Sequence, residues 1–186
     1  MSTTTFIILV IAILAIAGAA FLYFQKRRSE HLHGLFGPEY DRAIDEFGDR
    51  QKAESELERR ARRVSRFRIR DLSPEQREQF AAAWRADQAR FVDEPQLALQ
   101  QAHDLVTEVM RARGYPVSAE FEQNAADLSV EHPRVVEHYR VACDIAARRD
   151  RGEVATEDLR KAMVHYRSLF EDLLGVRVSP TEEVKL

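Results

Sequence analysis

Hydrophobic residues are distributed unevenly along this chain. Residues 6–24 form an unbroken apolar run of 19 residues, FIILVIAILAIAGAAFLYF, whereas later hydrophobic residues recur at helical spacing among charged ones. As a helix, the run would be about 28 Å long, close to the thickness of the hydrocarbon core of a bilayer. It also lacks the polar face of a surface helix in a soluble protein. The pattern predicts a transmembrane anchor, with the lipid bilayer as the partner of residues 6–24.

Two other interpretations of the run are a cleaved signal peptide and a buried core helix. A signal peptide needs a positively charged start and an apolar core of about 7–15 residues. Residues 1–5 contain no Lys or Arg, and the apolar run is longer than that core. Ala17-Gly18-Ala19 imitates a cleavage site, but the hydrophobic stretch continues beyond it to Phe24. The anchor is therefore the favoured interpretation.

The flanks of the run predict its orientation. Lys26, Arg27 and Arg28 follow it directly, and no basic residue precedes it. Basic residues close to a span are retained on the cytoplasmic side. We therefore expect a single-pass protein of the inner (plasma) membrane, with residues 1–28 as anchor and basic flank, the N-terminus outside and the C-terminal part in the cytoplasm. An extracytoplasmic C-terminal part is the alternative.

A linker and a charged stalk helix are expected next. Gly34, Gly37 and Pro38 indicate a linker over residues 29–38. Residues 39–72 then form the predicted stalk, a helix with narrow apolar stripes that extends to about residue 67, weakened locally at Gly48. A narrow stripe is typical of a coiled-coil arm, so self-association through the stalk is one expected partner interaction.

Residues 73–174 have the pattern of a compact helical bundle. Ser73 followed by Pro74 is a helix start, with Ser73 as the N-cap. Later start and stop signals divide the region into about five amphipathic helices, and their short connections predict antiparallel pairs. Trp84 lies on an apolar face, which favours a core position over a partner-binding groove. With residues 175–186 as a flexible tail, the predicted fold class is all-α.

Charge is distributed asymmetrically. Residues 26–70 contain 13 Lys and Arg against 9 Asp and Glu, and the remainder of the chain contains 15 against 22. Seven arginines without an acidic residue lie within residues 59–70. Arg spacing on one helical face suggests contact with anionic lipid or nucleic acid, although pairing with acidic residues of the same chain is the favoured interpretation. The candidate polyanion-binding residues are Arg59, Arg62, Arg63, Arg66 and Arg70.

Candidate chemistry is sparse. Cys143 is the single cysteine, so neither an intrachain disulfide nor a zinc site built on several cysteines can form, and it is expected to pack as a small hydrophobe. The sequence contains no Gly-rich phosphate loop, nucleophile elbow or paired histidines at i, i+4. His132 and His138 could converge with His165, but packing or capping roles are favoured for all three. We therefore predict no catalytic residue, no cofactor and no metal.

Five segments resemble an uncharacterised family of small bacterial single-pass membrane proteins. The resemblance covers most of the part after the anchor and implies no enzymatic activity, although members described as secreted keep the opposite topology open. The segments are FGPEYDRAIDEFGDR (36–50), ARFVDEPQLAL (89–99), LVTEVMRARGYPV (105–117), FEQNAADLSVEHPRVVEHYR (121–140) and DLRKAMVHYRSLFEDLL (158–174).

The sequence thus favours a non-enzymatic, membrane-tethered interaction or scaffold protein with an unidentified protein partner. A polyanion-binding module acting through residues 59–70 is the alternative, with lipid preferred to nucleic acid as the anion. An enzyme of unrecognised class is the third hypothesis.

Overall fold

The computed structural model describes residues 3–175, with side chains for residues 12–149 and 151–175. This part of the chain forms eight α-helices, which confirms the all-α class. The predicted tail, residues 175–186, lies outside the described residues except for Gly175. The helices are α1 (Thr3–Phe36), α2 (Pro38–Phe47), α3 (Arg50–Val64), α4 (Pro74–Arg90), α5 (Pro95–Arg113), α6 (Phe121–Glu131), α7 (Val136–Asp150) and α8 (Thr156–Leu174).

The chain divides into two compact units, Met1–Glu58 and Arg59–Leu186. Because the division falls inside α3, it differs from the boundary at residue 73 that the helix-start signal predicts. The arginine-rich residues 59–70 therefore belong to the same unit as the bundle. The N-terminal unit contains α1, α2 and the first part of α3.

Helix α1 does not end at the predicted linker. It continues to Phe36, so most of residues 29–38 is helical and the linker prediction is wrong. The physical reason is packing: Leu32 and Phe36, one turn apart, are both buried. The helix is interrupted only at Gly37, whose φ of 49° suits a residue without a side chain. Within the described residues, no helix combines the length and the apolar character needed to cross a membrane.

The predicted stalk is two helices rather than one. Gly48 adopts the left-handed conformation, with φ 62°, and its N–H caps α2 by donating to the carbonyl of Ile44. Helix α3 then ends at Val64 instead of near residue 67, and a turn leads into residues 68–73, which form neither helix nor strand. The backbone N–H of Arg70 donates to the carbonyl of Arg113 at 2.8 Å. That hydrogen bond ties this non-helical segment to the end of α5.

The five predicted bundle helices are present as α4 to α8. The Ser73 prediction is confirmed, since its hydroxyl accepts from the Gln76 N–H and the Gln76 side chain accepts from the Ser73 N–H. Helices α7 and α8 pack together, and the connection of residues 151–155 makes them antiparallel neighbours. Helices α5 and α8 instead run parallel, because Arg113 contacts the carbonyl of Leu173 where both helices end.

The core of the bundle draws its side chains from α4, α5, α6, α7 and α8. Trp84 and Phe170 are fully buried and stack with ring centroids 4.7 Å apart. The predicted core position of Trp84 is therefore confirmed. The other largest buried side chains in this core are Tyr139, Tyr166, Leu99, Met110, Leu128, Leu169, Leu173 and Leu174.

Candidate functional site

The candidate polyanion-binding arginines do not share one helical face. Arg63 lies on α3, whereas Arg66 and Arg70 follow the end of that helix. Nε of Arg63 donates to Oδ1 of Asp127 at 2.9 Å, and the Asp127 side chain is only 2% exposed. Nε of Arg70 donates to the carbonyl of Ala112 at 3.0 Å. Two of the five candidates are thus tied to the bundle.

The remaining candidates lie at the surface. Arg59 and Arg62 are exposed and take part in contacts of their own. Arg66 and Arg68 are exposed in the turn and the non-helical segment that follow α3. Internal pairing, the interpretation that the sequence favours, holds for Arg63. The exposed positive charge of residues 59–70 therefore includes Arg59, Arg62, Arg66 and Arg68.

The three residues that predict topology have different surroundings. Lys26 lies 3.8 Å from Glu30, and Arg27 lies over the ring of Tyr23. Arg28 makes a contact between helices, because its Nε lies 2.5 Å from Oε1 of Glu58 on α3. Arg28 therefore stabilises the packing of α1 on α3 in addition to contributing charge next to the apolar run.

A buried carboxylate organises the N-terminal unit. Glu54 on α3 is 3% exposed and accepts hydrogen bonds from the hydroxyls of Ser29 and Tyr40, the latter at 2.8 Å. Nε of Arg50 donates to Oε1 of Glu54 at 3.1 Å. Burial alone would raise the pKa of Glu54, but the hydrogen bonds from these three residues hold it below its usual value. Glu54 is thus an ionised group that connects α1, α2 and α3.

A polar cavity of about 540 Å³ lies beside Glu54. It begins at Leu22, near the end of the apolar run, and extends along α1 and the start of α3. Both signs of charge line it, so the cavity does not favour an anion or a cation by charge alone. Its lining residues are Leu22, Gln25, Lys26, Ser29, Asp49, Arg50, Gln51 and Glu54.

The bundle contains a buried hydrogen-bonded group centred on Tyr166. The Tyr166 hydroxyl lies 2.9 Å from Nδ1 of His103 and 3.5 Å from Sγ of Cys143. Burial raises the pKa of the Cys143 thiol to about 11, so the thiolate needed for nucleophilic chemistry is not populated near neutral pH. Burial likewise raises the pKa of Tyr166. These three side chains hold α5, α7 and α8 together.

The convergence of histidines weighed above is found for two of the three residues. His138 on α7 and His165 on α8 meet, with their Nδ1 atoms 2.8 Å apart. His132 instead pairs through Nδ1 with the carboxylate of Asp172. Burial and the neighbouring His138 lower the pKa of His165. No group of three or more ligating side chains suited to a metal occurs among the described residues.

The sequence did not single out the Glu54 group or the Tyr166 group. A signal for Glu54 exists, because this acidic residue lies three positions before Leu57 on the apolar stripe of α3. A charged residue on a packed face must find partners there. The identity of those partners depends on how α1 and α2 pack, and local periodicity does not specify that.

The fold and its contacts define an all-α helical-bundle protein. No protein-family model, curated protein or solved structure matches the chain.

Proposed function

We propose that the chain is a non-enzymatic, membrane-tethered interaction protein whose bundle is held at the membrane surface by residues 6–24. The observation that carries this proposal is the exposed apolar surface of α1, on which large side chains are each 54–70% exposed. Apolar surface costs about 25 cal/mol per Å² when left in water, and hydrocarbon would cover it. The side chains are Ile13, Leu14, Ile16, Phe21, Leu22, Tyr23 and Phe24.

The proposed orientation has the N-terminus outside and the bundle in the cytoplasm of a cell with an inner membrane. Its support is the positive charge of Lys26, Arg27 and Arg28 directly after the run. All three belong to the exposed class of residues. An extracytoplasmic bundle is the alternative, and a C-terminal reporter active only outside the cytoplasm would then give a signal.

An interaction role is favoured because two histidines of the bundle, candidate acid–base groups, pair with other side chains of the bundle. Tyr166 contacts His103, and His132 contacts Asp172, so each histidine has an internal partner. The surface of the bundle meanwhile carries many charged residues that a protein partner could contact. We propose an unidentified protein as this partner, with self-association through residues 39–72 as a second mode that size measurement in detergent would detect.

The anchor is tested by membrane fractionation of the full chain. Leu14→Arg combined with Ile16→Arg places two charges in the run, each costing about 2.5–3.5 kcal/mol at the centre of a bilayer. We expect the unaltered chain to stay with membranes after carbonate washing and the double variant to be released. Val92→Arg combined with Val164→Arg, at exposed valines outside the run, is the matched control. Equal retention of both variants would contradict the anchor. Crosslinked pull-down of the unaltered chain from intact membranes is the separate experiment that identifies the partner.

Binding of anionic lipid through residues 59–70 is the second candidate function. The exposure of Arg66 and Arg68 in the segment after α3 favours it. Arg66→Glu with Arg68→Glu is expected to weaken salt-sensitive binding to phosphatidylserine vesicles, whereas Arg134→Glu, at an exposed position outside the segment, is not. Unchanged binding would exclude these residues, and a preference for nucleic acid over vesicles would contradict lipid as the anion.

A further inference from the structure

The cavity beside Glu54 has a lining in which positive and negative charges are balanced. Its volume of about 540 Å³ lies within the range of about 300–1,000 Å³ that is common for ligand pockets. Lys26 and Arg50 give the described lining its positive charges, and Asp49 and Glu54 give it its negative charges. All four residues belong to the N-terminal unit, so the cavity is formed within one compact unit. A ligand that carries both signs of charge therefore matches this lining better than a simple anion or cation does.

The positive groups of the cavity are placed to hold an anion. Lys26 and Arg50 also line a second cavity, of about 470 Å³, so both residues border two open spaces. Nε of Arg50 donates to Glu54 at 3.1 Å, and the guanidinium has further N–H groups of the kind that bind phosphate. Lys26 lies 3.8 Å from Glu30, and both side chains are exposed, so a phosphate group can replace this weak contact.

The negative group available to a ligand is the carboxylate of Asp49. Glu54 already accepts hydrogen bonds from three side chains. Asp49 is exposed and accepts, through Oδ1, from the backbone N–H of Lys52 at 2.8 Å, and a carboxylate can accept further hydrogen bonds. A primary ammonium can donate to it, whereas a quaternary ammonium has no N–H and is typically bound by aromatic rings. None of the described lining residues is aromatic.

The position of the cavity on α1 indicates the source of such a ligand. The lining begins at Leu22, near the end of the apolar run, and reaches Ser29, about 10 Å further along the helix. This distance is comparable with the roughly 5–8 Å of headgroup region on each side of a bilayer. The cavity therefore lies at the level of the lipid headgroups, an inference that rests on the anchor proposed above.

We propose that the cavity binds a phosphoethanolamine group. The phosphate contacts Lys26 and Arg50, and the primary ammonium donates to Asp49. A phosphatidylethanolamine lipid supplies the group, with its acyl chains lying along the exposed apolar surface of α1 near Leu22, which is 65% exposed.

Lipid binding by the full chain in a maltoside detergent tests the site. Native mass spectrometry compares dioleoyl-phosphatidylethanolamine with dioleoyl-phosphatidylcholine, which has the same chains and phosphate but a quaternary ammonium. We expect the unaltered chain to prefer the ethanolamine lipid by about threefold to tenfold, between the effect of an exposed ion pair and that of a charged hydrogen bond.

Two substitutions should have different effects on this preference. Asp49→Asn should lower the affinity for the ethanolamine lipid to that for the choline lipid, and asparagine still accepts from the Lys52 N–H at the start of α3. Lys26→Gln should weaken both lipids equally, because both contain the phosphate. Asp45→Asn and Lys52→Gln, at exposed positions outside the described lining, are the matched controls and should change neither affinity. Equal binding of the two lipids by the unaltered chain, or a preference that survives Asp49→Asn, would overturn the proposal.

Glycerophosphoethanolamine, which has the same group without acyl chains, distinguishes a lipid from a soluble ligand. Weaker binding of this compound than of the lipid would support the membrane as the source. Equally tight binding that Asp49→Asn removes would support the site and overturn the lipid as its ligand. Release of the unaltered chain from carbonate-washed membranes would contradict the anchor but not the headgroup site, whereas an anchored chain without a lipid preference would contradict the site alone.

Discussion

Gly114 is a residue whose backbone position leaves no room for a side chain. Its φ is 98°, and a Cβ atom there would lie 2.4 Å from the carbonyl oxygen of Arg68. At Gly152 φ is 76°, but nothing lies within 4 Å of the corresponding position. The two glycines share the left-handed conformation and differ in the space around them.

Alanine at each glycine should separate these two effects. Gly152→Ala adds only the left-handed conformation of an L-residue, about 1–2 kcal/mol of lost stability. Gly114→Ala adds a backbone clash as well, and we expect a loss of roughly 3–5 kcal/mol, within the range of severe single substitutions. Urea unfolding followed by Trp84 fluorescence measures both. Equal losses would show that the Arg68 segment moves aside without cost.

The Tyr166 hydroxyl should contribute measurably to the stability of the bundle. Tyr166→Phe leaves the ring in place but removes one hydrogen bond to His103 and one to Cys143. The net contribution of a hydrogen bond to stability is about 0.5–1.5 kcal/mol, so the free energy of unfolding should fall by roughly that amount. Tyr23→Phe removes an exposed hydroxyl in α1 and is the control, with no expected change in the Trp84-reported transition. An unchanged free energy of unfolding in Tyr166→Phe would contradict a stabilising role of this hydroxyl.

At the scale of elements, the packing of α1, α2 and α3 should weaken in acid. The pKa of Glu54 is held below its usual value in the folded chain, so the unfolded chain binds a proton at higher pH than the folded chain does. Stability from Glu54 is therefore complete above about pH 4.5 and is lost as the pH falls through the lower folded value.

Hydrogen exchange in residues 38–58 measures this acid effect, after correction for the intrinsic pH dependence of exchange. Protection should fall as the pH decreases below 4.5 in the unaltered chain. Glu54→Gln should show lower protection at neutral pH and less further loss in acid. Glu75→Gln is a control, because Glu75 is exposed on α4. If the loss of protection in acid persists in Glu54→Gln, other carboxylates cause it.

The elements that sequence periodicity identified best are the bundle helices. Their caps and apolar faces are local, so Ser73, Trp84 and the division into about five helices predicted structure that is present. The errors occurred where packing overrides local signals. Gly34 did not break α1 because Leu32 and Phe36 are buried on both sides of it. After α3 ends at Val64, Arg70 forms a backbone hydrogen bond with the distant Arg113, which local periodicity does not reveal.

At the scale of the whole molecule, each unit has buried residues of its own. The largest core draws its buried members from residues 72–174. The N-terminal unit buries a separate set, Leu32, Phe36, Tyr40, Ala43, Ala53 and Leu57. The sequence placed the boundary at the Ser73 helix start because a cap is a visible signal. Residues 59–72 belong to the same unit as the bundle. Arg63 in this segment pairs with Asp127, 64 positions away in sequence.

Two fragments should distinguish these boundaries. A chain of residues 59–186 contains the complete core and the Arg63–Asp127 pair, so its Trp84-reported unfolding should match that of the full chain. A chain of residues 73–186 leaves Asp127, buried and charged, without its arginine, and it also loses Leu72, Phe67 and Ile69 from the core. Asp127 keeps its hydrogen bond from Gln123, but the lost ion pair and the lost apolar contacts should together lower the free energy of unfolding by at least about 2 kcal/mol.

Asp127→Asn tests whether the pair itself causes that difference. In residues 73–186 the neutral side chain relieves the unpaired charge, so Asp127→Asn should recover part of the lost stability. In residues 59–186 the same change breaks the pair with Arg63 and should be destabilising. The opposite signs are the informative result, since a general effect of Asn on helix α6 would have one sign in both fragments. Equal stability of the two unaltered fragments would instead place the boundary at residue 73, where the capping signal first indicated it.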